Sequence, residues 1–359
     1  LAMRWRELYP EWQQAVDELV ASRERVLVLG GIDSGKTTFC SLLLKLKQQA
    51  GMGVGFVDLD AGQTTIGPPA AFSGVLIRKP YELLHALAPD SLAFLGDVSP
   101  VRHTALALSG ARRMLDDMTP LQPDSIVIDT DGYIGGWYGR AYKLMLIDLL
   151  RPQVIVALQR KDELAPILDA LRRRADWRLY ELPVPQTILR KSPPARAQYR
   201  RAAFARYFEG AQTHTLPLDQ FSFVGRRLGG GQPMSDARRR YLADQIRAEL
   251  LHAEMVGDSL HLIVRQPLSD AQLETLMTLA GVNKLVMLPQ SAYHNLLVGL
   301  MDYTGRCYGL GLIETLDFKG RRLELLSPVR SVNPVRWVQL GYLRVLPDGT
   351  ELGEPLRDG

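Results

Sequence analysis

Val26-Leu27-Val28-Leu29-Gly30-Gly31-Ile32-Asp33-Ser34-Gly35-Lys36-Thr37-Thr38 sets an unbroken apolar run directly before a glycine-rich turn. The run suits a strand buried on both faces, and the residues from Lys36 to Gln49 read as a helix, so the turn joins strand to helix. In that context Gly30 to Thr37 fits the phosphate-loop pattern G-x-x-x-x-G-K-[ST]. Glycines let backbone N–H groups turn toward phosphates and the helix N-terminus adds partial positive charge. Lys36 is placed to reach the β- and γ-phosphates, and the Thr37 hydroxyl suits Mg²⁺. Gly30, Gly31, Ile32, Asp33, Ser34, Gly35, Lys36, Thr37 and Thr38 are therefore the candidate nucleotide-binding residues. The alternative is a glycine-rich turn that binds nothing.

Outward from this unit, apolar runs alternate with helical stretches. Runs lie at Val54–Leu59, 92–95, 125–129 and 154–158, and helices near Thr104–Met118, 138–150 and 164–174. The alternation predicts an α/β fold, a P-loop NTPase parallel sheet with helices on both faces. Upstream, Trp5, Leu8, Trp12, Val16 and Leu19 recur at helical spacing and predict an amphipathic helix over 4–22. After Phe208 the pattern changes. Gly229-Gly230-Gly231-Gln232-Pro233 breaks the chain, helices are expected over 235–254 and near 270–279, and the other apolar runs between 213 and 345 are strand-like. The expected organisation is an N-terminal helix in 1–24, a P-loop domain over 25–210 and a C-terminal β-rich α+β domain over 211–359.

The 359 residues, 46% hydrophobic and 23% charged, describe a globular protein and exclude disorder and fibre. Cys40 and Cys307 cannot form a disulfide framework, and the six histidines lack metal-ligand spacing, so no structural zinc is expected. No run approaches the roughly 18 apolar residues of a membrane span. Leu1-Ala2-Met3-Arg4-Trp5-Arg6 carries no apolar signal core, so the expected location is cytoplasmic. Net charge is +4, but between Arg172 and Arg206 ten basic residues face two acidic ones, a local excess of +8 against −4 elsewhere. Such a segment suits a polyanion or phosphate, or else a solvated helical face.

Asp58-Leu59-Asp60 ends the run at Val54–Leu59, and period-two spacing puts both carboxylates on one side of an extended strand. Thr37, Asp58 and Asp60 are the candidate Mg²⁺ ligands, with one carboxylate available as a base. The alternative is carboxylates exposed at a strand end. Gln159-Arg160-Lys161-Asp162 stands where GTPases carry N-K-x-D to read guanine, but the Asn and Lys are replaced.

Gly30 to Thr38 followed by Asp58-Leu59-Asp60-Ala61-Gly62-Gln63 resembles the polynucleotide 5′-hydroxyl kinase family, relatives of the RNA-kinase subunit of the pre-mRNA 3′-end processing and tRNA-splicing machinery. The chain is similar to a short, prokaryotic-type member. Asp129-Thr130-Asp131-Gly132-Tyr133-Ile134-Gly135-Gly136-Trp137-Tyr138-Gly139 resembles the family's substrate-clasping segment. Lys191-Ser192, Arg196 and Arg200, running into Arg206-Tyr207-Phe208, resemble its arginine-bearing lid, at about 190–208. The resemblance spans 25–208. Gly31 stands for a usual Pro, Tyr133 for Trp and Lys191 for Arg.

The resemblance implies transfer of the γ-phosphoryl group of ATP, or of other NTPs, to the 5′-OH ends of RNA, with DNA ends left open. It implies Lys36, Asp60, Arg196 and Arg200 as catalytic residues, Asp60 being the reaction-centre carboxylate. Gln63, Thr130, Asp131, Gly132, Tyr133, Trp137, Lys191 and Ser192 become the substrate contacts. Tyr133, with Trp137 and Tyr138 nearby, offers base stacking or packing of the crossover helix. The rival readings are a nucleotide-stabilised RNA-processing scaffold without turnover and, more remotely, a P-loop GTPase. Protein partners stay open.

Overall fold

The computed structural model describes residues 4–174, 176–225 and 228–353, and Leu1-Ala2-Met3 lies outside them. The chain divides into two compact units, Leu1–Tyr207 and Phe208–Gly359.

The first unit contains strands β1 (Arg25–Gly30), β2 (Val54–Leu59), β3 (Ala71–Ile77), β4 (Ser91–Phe94), β5 (Ser125–Thr130), β6 (Val154–Gln159) and β7 (Arg178–Pro183). Its helices are α1 (Trp5–Leu8), α2 (Gln13–Val20), α3 (Lys36–Gln49), α4 (Thr104–Met118), α5 (Gly136–Leu150), α6 (Ala165–Leu171) and α7 (Pro193–Phe208). The strands form one sheet in the order β4-β3-β2-β5-β1-β6-β7. Alternation along β1 shows why an apolar run was needed there. Leu27 and Leu29 enter a core with Met114, Tyr142, Leu146 and Leu168, whereas Val26 and Val28 enter a second core with Trp12, Phe39 and Leu43. Helices therefore cover both faces. Asp58 is in register with Asp129, and Asp129 with Val28, so the loops that follow β2, β5 and β1 leave the sheet along one edge.

Three local expectations differ from the structure. The sheet is parallel from β2 to β7, but β3 and β4 are added antiparallel. Ser73 and Gly74 dilute the apolar run of β3, and β7 is a half-exposed edge strand, so neither announced itself. The helix over 4–22 is broken at Tyr9 (φ −138°, ψ 59°), because Pro10 disfavours the helical region for the residue before it. Trp5, Trp12, Val16 and Leu19 are nonetheless all buried, and Trp12 Nε1 donates to the Pro183 carbonyl at 3.0 Å.

The second unit contains β8 (Gln212–Pro217), β9 (Ser222–Val224), β10 (Gln232–Pro233), α8 (Asp236–Ile246), β11 (Leu250–Val256), β12 (Ser259–Val264), α9 (Asp270–Ala280), β13 (Lys284–Pro289), β14 (Leu296–Met301), β15 (Cys307–Asp317), β16 (Arg322–Ser327), β17 (Trp337–Val345) and β18 (Glu351–Gly353). The larger sheet runs β18-β17-β14-β15-β16-β8, with β9 beside β17, and the smaller runs β10-β11-β12-β13. This is the β-rich C-terminal part of the expected fold. The helix expected over 235–254 stops at Ile246, where Arg247 turns left-handed (φ 51°), and Leu250–Val256 pairs with β12 instead. Strand pairing outweighs the helix propensity of Leu-Leu-His-Ala-Glu-Met.

Candidate active site

Between β1 and α3, Asp33 (φ 56°) and Gly35 (φ 87°) adopt left-handed backbone, a conformation that glycine takes without strain. Lys36, 6% exposed, donates from Nζ to the Gly31 carbonyl at 2.7 Å. Ser34 Oγ is buried with no hydrogen-bond partner among the described residues. Thr37 Oγ1 donates to Asp129 Oδ2 at 2.6 Å, at the end of β5.

Three carboxylates meet along this edge and do different things. Asp58 is consumed by its own loop. Its Oδ2 accepts from the backbone N–H groups of Thr65 and Ile66, at 2.5 and 3.3 Å, and its Oδ1 from that of Asp60 at 3.0 Å. Asp60 Oδ1 accepts from Gly62 N (3.0 Å) and Gln63 N (2.8 Å), while Oδ2 accepts nothing among the described residues. Asp129 Oδ1 is buried and unpartnered. Burial pushes the Asp60 carboxyl above the ordinary carboxylate range against the pull of Lys36, and pushes Asp129 up to about 6. Asp58 is raised well above its usual value by burial and by the neighbouring Asp129.

The clasp follows β5. A Cβ on Gly132 would sit 2.8 Å from Ile32 N, so only glycine lets this segment lie against the phosphate loop. Asp131 Oδ1 accepts from Tyr133 N at 2.7 Å, and Lys143 of α5, fully buried, places Nζ 3.0 Å from Asp131 Oδ2 and 2.8 Å from the Asp131 carbonyl. The Tyr133 ring lies 6.2 Å from that of Tyr142.

The lid helix α7 opens at Pro193. Arg196 Nη1 donates to Asp33 Oδ2 (3.1 Å) and to the Lys191 carbonyl (2.7 Å), and Lys191 N donates to the same Asp33 oxygen at 3.0 Å. Gln63 Nε2 donates to the Arg196 carbonyl at 3.3 Å and Tyr199 Oη to that of Thr64 at 3.0 Å. The lid is thus tied to the phosphate loop and to the loop after β2.

Between these elements lies a cleft of about 600 Å³ lined by residues 32–38, Asp60, Gln63, Asp131, Gly132, Tyr133, Lys191, Arg196 and Arg200, among others. Gly30 and Gly31 are not among its lining residues. Asp58, Thr130, Trp137 and Ser192 stand outside its lining. Thr130 is buried and donates to the Val28 carbonyl, and the Ser192 hydroxyl accepts from Ala195 N at the start of α7. Trp137 is 72% exposed and packs edge-to-face on Tyr138.

Three residues at the site, Asp129, Arg160 and Lys143, were given no site role from the sequence, Lys143 for want of any local signal. Asp129 was signalled by the apolar run Ser125-Ile126-Val127-Ile128 that it ends, a carboxylate at a strand terminus beside the phosphate loop. Arg160 had no such signal. At the position where a GTPase reads its base, its Nη2 instead donates to the carbonyls of Asp33 (2.7 Å) and Ile188 (3.2 Å).

The donor set fits a nucleotide with its metal. Thr37 Oγ1 and the unpartnered Asp129 Oδ1 are hard oxygen ligands of the kind Mg²⁺ takes. Lys36 and the loop amides suit phosphate. Among the described residues no group of three or more His, Cys, Asp and Glu side chains is placed to hold a metal ion, and no helix is long and apolar enough to cross a membrane.

Residues 30–210 match the family model described as mRNA cleavage and polyadenylation factor CLP1 P-loop. The chain is 28% identical over 336 residues to a polyribonucleotide 5′-hydroxyl-kinase of Methanocaldococcus jannaschii, covering 93% of this chain and 90% of that protein. It is 29% identical over 347 residues to one of Pyrococcus horikoshii, covering 96% and 93%. A CLP1 homolog of Dictyostelium discoideum is 24% identical over 345 residues, 92% of this chain and 69% of that protein. In fold, the chain is similar to Clp1p solved in complex with Pcf11p, with a TM-score of 0.61, 12% identity and coverage of 95% of this chain and 79% of that one.

Proposed function

The chain belongs to the CLP1 P-loop family, and from that premise we propose that it is a kinase that transfers the γ-phosphoryl group of ATP to the 5′-hydroxyl end of RNA. The observation that carries the proposal is the convergence of Lys36, Thr37, Asp60, Arg196 and Arg200 on one cleft. A nucleotide-stabilised scaffold has no use for a carboxylate and two guanidinium groups beside the phosphate loop.

In the reaction, the 5′-hydroxyl oxygen forms a bond to the γ-phosphorus as the bond to the β,γ-bridging oxygen breaks, ADP leaves, and the hydroxyl proton passes to Asp60 Oδ2. Asp60 is suited to this because Gly62 and Gln63 N–H groups fix its other oxygen and burial raises its affinity for a proton. Lys36 would leave the Gly31 carbonyl for the phosphates, and the lid arginines would meet charge on the transferring group. Thr37 and Asp129, rather than Asp58, would hold Mg²⁺, which when bound neutralises phosphate charge. Asp131 and Gly132, braced by Lys143, would keep the acceptor end against the phosphate loop, and Tyr133 would stack on its terminal base.

The test is transfer of label from γ-labelled ATP to an oligoribonucleotide bearing a 5′-hydroxyl, with the 5′-phosphorylated oligonucleotide as control. Product on the first alone is expected. Tight binding of both without product would favour the scaffold, and GTP hydrolysis without labelled RNA would favour a GTPase.

A further inference from the structure

Asp33 is an unexpected residue for a phosphate loop, because a carboxylate beside a polyanionic ligand repels it. It also takes a left-handed backbone (φ 56°), which is uncommon outside glycine. Three elements nevertheless converge on this residue. Its carbonyl accepts from Arg160 Nη2 at 2.7 Å, and the same Nη2 reaches the Ile188 carbonyl at 3.2 Å. Its Oδ2 accepts from Lys191 N at 3.0 Å and from Arg196 Nη1 at 3.1 Å. Arg196 Nη1 donates as well to the Lys191 carbonyl. Both anchoring bonds of Arg196 thus leave from one nitrogen. Nε and Nη2, the edge of the fork that grips two oxygens of one group, donate to nothing among the described residues, while Arg196 lines the cleft.

We infer that Asp33 is a positioning residue, whose carboxylate anchors Arg196 by Nη1 and leaves the Nε–Nη2 edge available to the transferring phosphoryl group, with Arg160 holding the Asp33 backbone in place. A neutral acceptor would hold the guanidinium less firmly, since hydrogen bonds between charged partners are roughly twice as strong. The pairing also cancels the repulsion that Asp33 would otherwise exert on the nucleotide. Repulsion and anchoring act on different quantities, and this makes the role separable from a structural one.

The inference rests on the phosphoryl-transfer reading and is tested on the full chain with Asp33→Asn. At saturating substrates kcat for 5′-hydroxyl RNA should fall about tenfold or more, while ATP binding, measured by calorimetry, stays unchanged or tightens. A residue that only shapes the loop would weaken ATP binding and spare kcat. A latch that holds Arg196 away from phosphate would raise kcat. Either result overturns the inference. Asp33→Asn combined with Arg196→Lys should be no slower than Arg196→Lys alone, and additive losses would contradict the coupling. A readout independent of transfer is tryptic cleavage after Lys191 in the nucleotide-free protein, expected to be about tenfold faster in Asp33→Asn relative to other sites. Unchanged cleavage sinks the anchoring role by itself, whereas a wild-type protein that phosphorylates no RNA sinks only the kinase reading.

Discussion

Asp129, in the first unit, and Glu254, in the second, are both buried carboxylates at strand positions, and their surroundings drive them in opposite directions. Burial pushes Asp129 up to about 6, with Lys36 and Thr37 opposing, and one of its oxygens has no partner. Burial also acts to raise Glu254, but hydrogen bonds from His252, Gly229 N and Gly230 N outweigh it and hold the carboxyl below its usual range. One carboxylate is complete, while the other keeps an oxygen without a partner among the described residues. Among the described residues the buried polar and charged side chains are concentrated in the same way. Lys36, Asp58, Asp129, Asp131 and Lys143 lie at the phosphate-loop edge of the first unit, with Lys47 apart from them on the Ser22 carbonyl, and Glu254 and Ser327 lie in the second. Buried charge without full compensation is expensive to keep for stability alone, so its concentration at the phosphate-loop edge supports the proposed site.

The contrast breaks most sharply if the charges of the first unit prove dispensable. Lys36→Ala should lower phosphorylation of 5′-hydroxyl RNA by at least about 10³-fold. Its unfolding midpoint should stay within about 2 °C of wild type, since among the described residues Nζ donates a hydrogen bond to the Gly31 carbonyl alone and its charge removal is offset by protonation of the neighbouring buried carboxyls. A variant with wild-type turnover would remove the phosphate-loop argument altogether.

Asp60→Asn comes next, with an expected loss of roughly 10²–10⁴-fold in kcat and an ATP affinity changed by less than about threefold, because Asn keeps the shape and cannot accept the proton. In the wild type, activity should rise with pH through a value above the ordinary carboxylate range, as Asp60 loses its proton. Were Asp58→Asn the inactive variant and Asp60→Asn active, the two roles would be reversed. For Asp58→Asn the geometry instead gives disorder of the 60–66 loop, whose N–H groups its carboxylate collects.

Much of this site was legible because its parts are local. A phosphate loop is eight consecutive residues whose glycines, lysine and threonine each answer one physical need. The lid pair Arg196 and Arg200 is what the family resemblance implies, and four-residue spacing puts both on one helix face. Tertiary contacts could not be read that way. That Asp129 rather than Asp58 faces Thr37 depends on which strand lies beside β1, and strand order is not written in spacing. Arg160 and Lys143 act on backbone carbonyls of other segments, so no pattern in their own neighbourhood distinguishes them from surface cations. In the fold, Pro10 was a local signal against a continuous helix that the apolar periodicity obscured. Arg247 gave none, because arginine has no preference for the left-handed turn it adopts.

Asp129→Asn should raise the Mg²⁺ concentration needed for half-maximal activity by about 10–100-fold. It should also change the pH response of the fold. The folded pKa of Asp129 lies above its unfolded value of about 3.9. Its contribution to stability is therefore fully present below that value and lost as pH rises through about 6. Metal-free protein should be more stable at pH 5 than at pH 7, and the difference should shrink in Asp129→Asn. A variant with an unchanged Mg²⁺ requirement and pH response would return the metal to Asp58.

Glu254→Gln should have the smallest effect, and it probes the completed carboxylate. Oε2 accepts from Gly229 N at 3.0 Å and lies 3.4 Å from His252 Nε2, while Oε1 accepts from Gly230 N at 3.4 Å. An amide in the same shape can present its oxygen to Gly229 and His252, leaving its NH₂ opposite the weaker Gly230 contact, so the loss should be about 1 kcal/mol. Hydrogen exchange should report this as faster exchange at the Gly229 and Gly230 amides, with RNA phosphorylation within about twofold of wild type. The pH dependence has the opposite sign to that of Asp129. Because the Glu254 pKa is depressed, its stabilisation is present above the unfolded value of about 4.3 and lost as pH falls through the folded one. Acid should therefore loosen the Gly229–Gly230 turn in wild type and do so less in Glu254→Gln. A tenfold fall in turnover with both amides still protected would mean that the second unit takes part in the reaction, and Glu254 would then belong with Asp129 among the charges kept for chemistry.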